Sequence, residues 1–113
     1  MSDRQPRSAL ELILESIPHA REIVAKIRRT DRHLADQLRR AITSIALNLA
    51  EADGNRDGNR RVRLETAHGS ANEAKVALRI AVAWGYITQH EVDDVFAIVD
   101  RAAAMTWSRM HSR

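Results

Sequence analysis

Three groups of residues in this 113-residue chain are candidates for chemistry. Gln37, Arg40, Ser44, Asn48 and Glu51 follow one another at spacings of three or four, which lines them along one face of a helix. Ser and Asn are poor helix-interior residues because their side chains compete for the backbone, so a run of them asks for a reason. A second set, Gly69, Ser70 and Glu73, lies further along the chain. The structural reading is that Ser44, Asn48, Ser70 and Glu73 hydrogen-bond between two packed helices and fix their register, with Gly69 permitting close approach. The catalytic reading needs a nucleophile beside a base, and Ser44 has no histidine in register. No catalytic residue is therefore assigned.

The second candidate is Glu65-x-x-His68, the half-motif from which bundle helices build di-iron sites. Such a site needs two copies of the motif and two further inward glutamates, and this chain has one copy. The five histidines (19, 33, 68, 90 and 111) show no other ligand spacing, and the absence of cysteine removes thiolate sites. Neither metal nor cofactor is expected. The four glycines, at 54, 58, 69 and 85, form no phosphate-cradling loop.

The third group is basic. Sixteen arginines and two lysines face 15 acidic residues, a net charge of +3. That total conceals an uneven distribution. Residues 21–63 carry 11 basic and 6 acidic residues, net +5, while the flanking regions are each net −1. Arg28, Arg29 and Arg32 surround one expected inter-helix connection, and Arg56, Arg60, Arg61 and Arg63 surround the next. In a bundle of alternating helix direction these two clusters lie at opposite ends, with Arg39 and Arg40 able to extend either into a stripe. Guanidinium groups fork onto phosphates, which makes RNA or DNA the expected polyanion partner. No aromatic residue is interleaved with these arginines in the sequence, which points to charge and shape recognition rather than base stacking.

The elements that must position these residues are helical. Eighteen alanines, few β-branched runs and only two prolines favour helix throughout. Breakers and caps divide the chain into helices at about 8–29, 31–53, 59–84 and 89–111 within a single domain spanning 1–113. Ser8-x-x-Glu11 and Thr88-x-x-Glu91 are capping boxes, and Thr30 or Asp31 caps the second helix. Pro18 falls inside the first helix and is expected to kink it or split it near Ser16-Ile17. Apolar residues recur at helical period in each segment: Leu10, Ile13, Ile17, Val24 and Ile27; Leu34, Leu38, Ala41, Ile42, Ile45 and Leu49; Val92, Val95, Phe96, Val99, Ala102, Ala103 and Met110. Four such helices with short connections give an all-α, antiparallel up-down four-helix bundle. No apolar run reaches the roughly 18 residues of a membrane span, and Met1-Ser2-Asp3-Arg4 begins no signal peptide, so the expected compartment is cytoplasmic.

The third segment carries two stripes. Ala67, Ala71, Ala74, Leu78 and Ala81 form one, small enough for close packing. Val76, Ile80 and Trp84 form another on a different side. One bundle core uses one stripe, so the second calls for a partner subunit, and self-association is expected through Val76, Ile80 and Trp84.

The run from Gln37 to Glu51 resembles the signature of a small bacterial four-helix-bundle family, the ribosomal-RNA intervening-sequence proteins. That family includes the accessory variability-determinant proteins of diversity-generating retroelements. Its pattern, Gln-x-x-Arg-Ala-x-x-Ser-Ile-x-x-Asn-Ile-Ala-Glu-Gly, is matched by Gln37, Arg40, Ala41, Ser44, Ile45, Asn48, Ala50 and Glu51, with Leu49 for isoleucine and Ala52 for the final glycine. A second family block is matched by Gly69, Ser70 and Glu73, followed by Trp84-Gly85-Tyr86-Ile87. The resemblance implies a ring-shaped homopentamer without catalytic activity, members of which bind nucleic acid and a reverse transcriptase. The expected function is a non-enzymatic homopentameric accessory protein that binds RNA or DNA through its arginines. The alternative is a structural scaffold or protein-interaction module.

Overall fold

The computed structural model describes residues 6–54 and 58–112. Four helices follow in order: α1 (Ala9–Arg28), α2 (Arg32–Gly54), α3 (Asn59–Ala83) and α4 (Gln89–Met110), with no strand among the described residues. Each helix packs on its neighbour in sequence, and α1 closes on α4, which makes a four-membered ring of helices around one core. Three residues separate α1 from α2 and five separate α3 from α4, so consecutive helices run antiparallel. No helix among the described residues is long and apolar enough to cross a membrane.

The helix ends form for local reasons. Ser8 and Thr88 each accept from the N–H three residues on, while Glu11 and Glu91 reach back to the cap N–H. At the start of α2 the choice between Thr30 and Asp31 falls to Asp31, whose Oδ1 accepts from the Leu34 N–H at 2.9 Å. The α3 helix ends on Gly85 at φ +78°, with the Tyr86 N–H bonded to Ala81 O and the Gly85 N–H to Val82 O, both at 2.9 Å. This paired closure satisfies two orphan carbonyls and requires the left-handed conformation that glycine adopts without steric cost.

Two expectations for α1 change. The split does not occur: the helix runs continuously through Pro18, an exposed residue. The missing donor frees the carbonyl four residues earlier, on Leu14, another exposed residue, so water can satisfy it. The buried face is also rotated from the expected one. Ile17 is 38% exposed, and Ser16, Ala20 and Ile23 are buried with Ile13, Val24 and Ile27. Ser16 is accommodated there because its hydroxyl donates to Ile13 O at 2.7 Å.

The core is narrow in type. Ala67, Ala71, Ala74, Ala77 and Ala81 of α3 are all buried, against Leu38, Ile45 and Leu49 of α2 and Val92, Val95 and Val99 of α4. Small residues on one wall and branched residues on the other allow close helix approach at full packing density.

Candidate nucleic-acid interface and the polar seam

Ser44 of α2 and Ser70 of α3 meet across the helix seam, Oγ to Oγ at 2.7 Å. Asn48 sits one turn further on α2. Its Nδ2 donates back to Ser44 O at 2.9 Å and to Ser44 Oγ at 3.2 Å, and its Oδ1 accepts from Arg63 of α3 at 3.4 Å. The seam therefore crosses twice, once by paired hydroxyls and once by Arg63. Glu73 does not take part. It makes no hydrogen bond or ion pair among the described residues, and instead lines a cleft of about 380 Å³ with Gln37, Arg40, Ser44, Val76 and Ile80. Glu51 is exposed at the outer edge of α2. Gly69 is also exposed, and a Cβ built on it would meet nothing within 4 Å. Close approach within the protomer is thus not its reason. Ser44 Oγ hydrogen-bonds the Ser70 hydroxyl and the Asn48 amide, and the Glu73 carboxylate shares its cleft without bonding to it.

Glu65 and His68 also separate. Glu65 is exposed and pairs with Arg61 at 3.6 Å, whereas His68 is half-buried in the α3–α4 groove. No group of three His, Cys, Asp or Glu among the described residues is arranged to hold a metal ion.

The arginine clusters take up two ends of the bundle. At the α1–α2 end, Arg28 pairs with Asp36 at 2.8 Å. The Asp36 carboxyl lies below its usual value, chiefly through the Arg28 hydrogen bond and further through the fields of Arg28, Arg32 and Arg40. Arg40 thus extends this cluster along α2, while Arg39 turns to the α1–α2 groove beside Ile17 and Arg21. At the other end, Arg60, Arg61 and Arg109 line a cleft of about 280 Å³ with Met110 and Ser112. Arg61 donates to Met110 O at 3.3 Å, and Arg109 is held by Asp53 at 2.7 Å. Arg56 lies outside the described residues. Arg29, Arg32, Arg39, Arg40 and Arg60 make no side-chain hydrogen bond or contact ion pair among the described residues, so their donors face solvent.

The apolar stripe of α3 is uncovered: Val76 is 52%, Ile80 39% and Trp84 70% exposed. Leu14 and Ile17 of α1 and Leu47 of α2 are exposed as well, and Ile17 lines the α1–α2 groove with Ile42 and Thr43. Sequence patterning missed this second surface because helical period places Ile17 with the core residues Ile13 and Val24, and Leu47 belongs to no apolar stripe of α2. The Lys26 ammonium reaches Glu91 of α4 at 2.6 Å and ties the end of α1 to the cap of α4.

The described residues form an all-α four-helix bundle with a polar seam between α2 and α3, two arginine-rich ends and an exposed apolar stripe on α3. The chain belongs to the 23S rRNA-intervening sequence protein family, whose sequence profile matches residues 9–108. Among solved structures it is similar to a protein of unknown function from the S23 ribosomal protein family of Bacteroides thetaiotaomicron. The two share 19% identity and a TM-score of 0.84, over 92% of this chain and 99% of the other, a likeness of fold. A search of curated proteins finds no match.

Proposed function

We propose that this chain is a non-enzymatic accessory protein that assembles as a homopentameric ring and binds the backbone of RNA or DNA through its arginines. The observation that carries the reading is the set of uncommitted guanidinium groups, Arg29, Arg32, Arg39, Arg40 and Arg60, on a protomer of modest net charge. A ring multiplies each cluster by the subunit number, and phosphate binding scales with the cations that act together. A cyclic assembly joins two different surfaces of neighbouring copies. The α3 stripe of Val76, Ile80 and Trp84 and the α1–α2 patch of Leu14, Ile17 and Leu47 supply such a pair. Gly69 supports the same reading, because a mid-helix glycine facing open space costs stability in the protomer alone and suits the approach of a second backbone. Membership of the rRNA-intervening sequence family and the basic surfaces also suit a protein that works beside a reverse transcriptase.

The test is a titration of the intact protein with structured RNA and duplex DNA at rising salt, alongside sedimentation for subunit number. Expected is binding at low salt that weakens linearly in log–log form, and weakens further in an Arg32→Ala/Arg40→Ala variant. No binding at low salt, or binding indifferent to salt, overturns the nucleic-acid reading. A protein partner that survives nuclease treatment would favour the scaffold alternative.

A further inference from the structure

Folding brings an aromatic residue to the arginines that the linear sequence keeps far from one. Arg61 donates to the Met110 carbonyl at 3.3 Å, so the first turn of α3 lies against the last turn of α4. Trp107 precedes Met110 by three residues, about 4.5 Å along the helix axis. It is 52% exposed. His111 stacks on the indole with ring centroids 3.9 Å apart and an interplanar angle of 27°, and its Nδ1 lies 2.8 Å from the Trp107 carbonyl. The indole opens on a shallow groove of about 310 Å³ bordered by Ala103, Ala104, half-buried His68 and the Lys75–Asp100 ion pair, whose charges offset at 2.9 Å. One turn away lies the cleft of Arg60, Arg61 and Arg109. Arg60 has no acidic partner there, whereas Arg61 is shared with Glu65 and Arg109 is held by Asp53.

We infer that this end of the α3–α4 groove binds single-stranded nucleic acid, with one base stacked on Trp107 and a neighbouring phosphate against Arg60 and Arg61. The inference rests on the nucleic-acid reading above and adds to it a strandedness and a residue outside the arginine clusters. An indole pre-stacked on imidazole presents an ordered π-face, and every base has a complementary one. A duplex has its bases already stacked and paired, so only its phosphates can use this surface. Ala103 and Ala104 are the small residues beside the indole, and the arginines of the neighbouring cleft supply the backbone charge that stacking alone lacks.

The experiment titrates the full chain with fluorescently labelled oligouridine, oligothymidine and a duplex DNA of equal length. Trp107→Ala is expected to weaken single-strand binding on the order of tenfold and to leave duplex binding unchanged, while Trp107→Phe retains most of the affinity. Single strands are expected to quench the tryptophan emission of the parent protein, and Trp107→Phe to remove that quench. The Phe variant keeps the test valid should the Ala variant unfold. A loss confined to oligouridine assigns RNA, a loss confined to oligothymidine assigns DNA, and either supports the site. Unchanged single-strand affinity, or an equal loss on duplex, overturns the stacking site and leaves the charge reading standing. Absence of binding to all three probes at low salt overturns both.

Discussion

The hydroxyl oxygens of Ser44 and Ser70 lie 2.7 Å apart across the α2–α3 seam, beside a core of apolar side chains. A hydroxyl pair has a preferred geometry and Ser70 is buried, so the pair helps set the axial register of the alanine-rich face of α3 against the Leu- and Ile-bearing face of α2. Ser44→Ala leaves the Ser70 hydroxyl without that partner and is expected to cost about 1–3 kcal/mol. Chemical denaturation of Ser44→Ala, Ser70→Ala and the double variant checks this. The double variant is expected to lose less than the two singles added together. Strict additivity would remove the pair from the account of register.

Glu91 carries a prediction for acid. Its carboxyl is lowered from 4.5 to about 2, first by the Lys26 hydrogen bond, then by the Thr88 N–H and hydroxyl. A carboxyl with a depressed folded value binds its proton more readily in the unfolded chain. Its contribution is therefore present above about 4.5 and is lost as pH falls towards about 2. Thermal melts of the parent and Glu91→Gln should converge over that interval. A constant difference across it would show that the Lys26–Glu91 link does not respond to charge.

Gly85 is held at φ +78°, and an alanine there incurs the left-handed penalty of about 1–2 kcal/mol although its Cβ would meet nothing. Gly85→Ala is expected to lower stability by about that amount, measured by denaturant midpoint, without a change in secondary-structure content. A neutral result would mean that the α3 end relaxes into another closure.

Gly69 presents the opposite case. It is helical, exposed and surrounded by open space, so Gly69→Ala is expected to stabilise the dissociated protomer by about 0.5–1 kcal/mol. The same substitution is expected to weaken self-association in sedimentation experiments, as is Ile80→Asp. A gain in stability with unchanged association would move the subunit contact away from this face of α3.

The sequence alone determined the helices. Each is a local event: the capping boxes at Ser8 and Thr88, the Asp31 cap and the Gly85 stop act within four or five residues of chain. The alanine stripe of α3 was equally legible, because helical period places Ala67, Ala71, Ala74 and Ala81 on one side whatever they meet. Tertiary structure decided the rest. A helix with two plausible apolar edges can rotate by tens of degrees, and only its packing partners select the face, so α1 buries Ala20 and Ile23 and leaves Ile17 out. Asn48 and Glu73 belong to one pattern in sequence, yet Asn48 bonds within α2 and to Arg63, while Glu73 bonds to neither. The meeting of Arg61 with Met110, one helical turn from Trp107, depends on the antiparallel pairing of α3 and α4. Local periodicity repeats every few residues and carries no information about which distant turn will lie opposite. That choice is made by the volumes and polar groups that must fit together in the folded core.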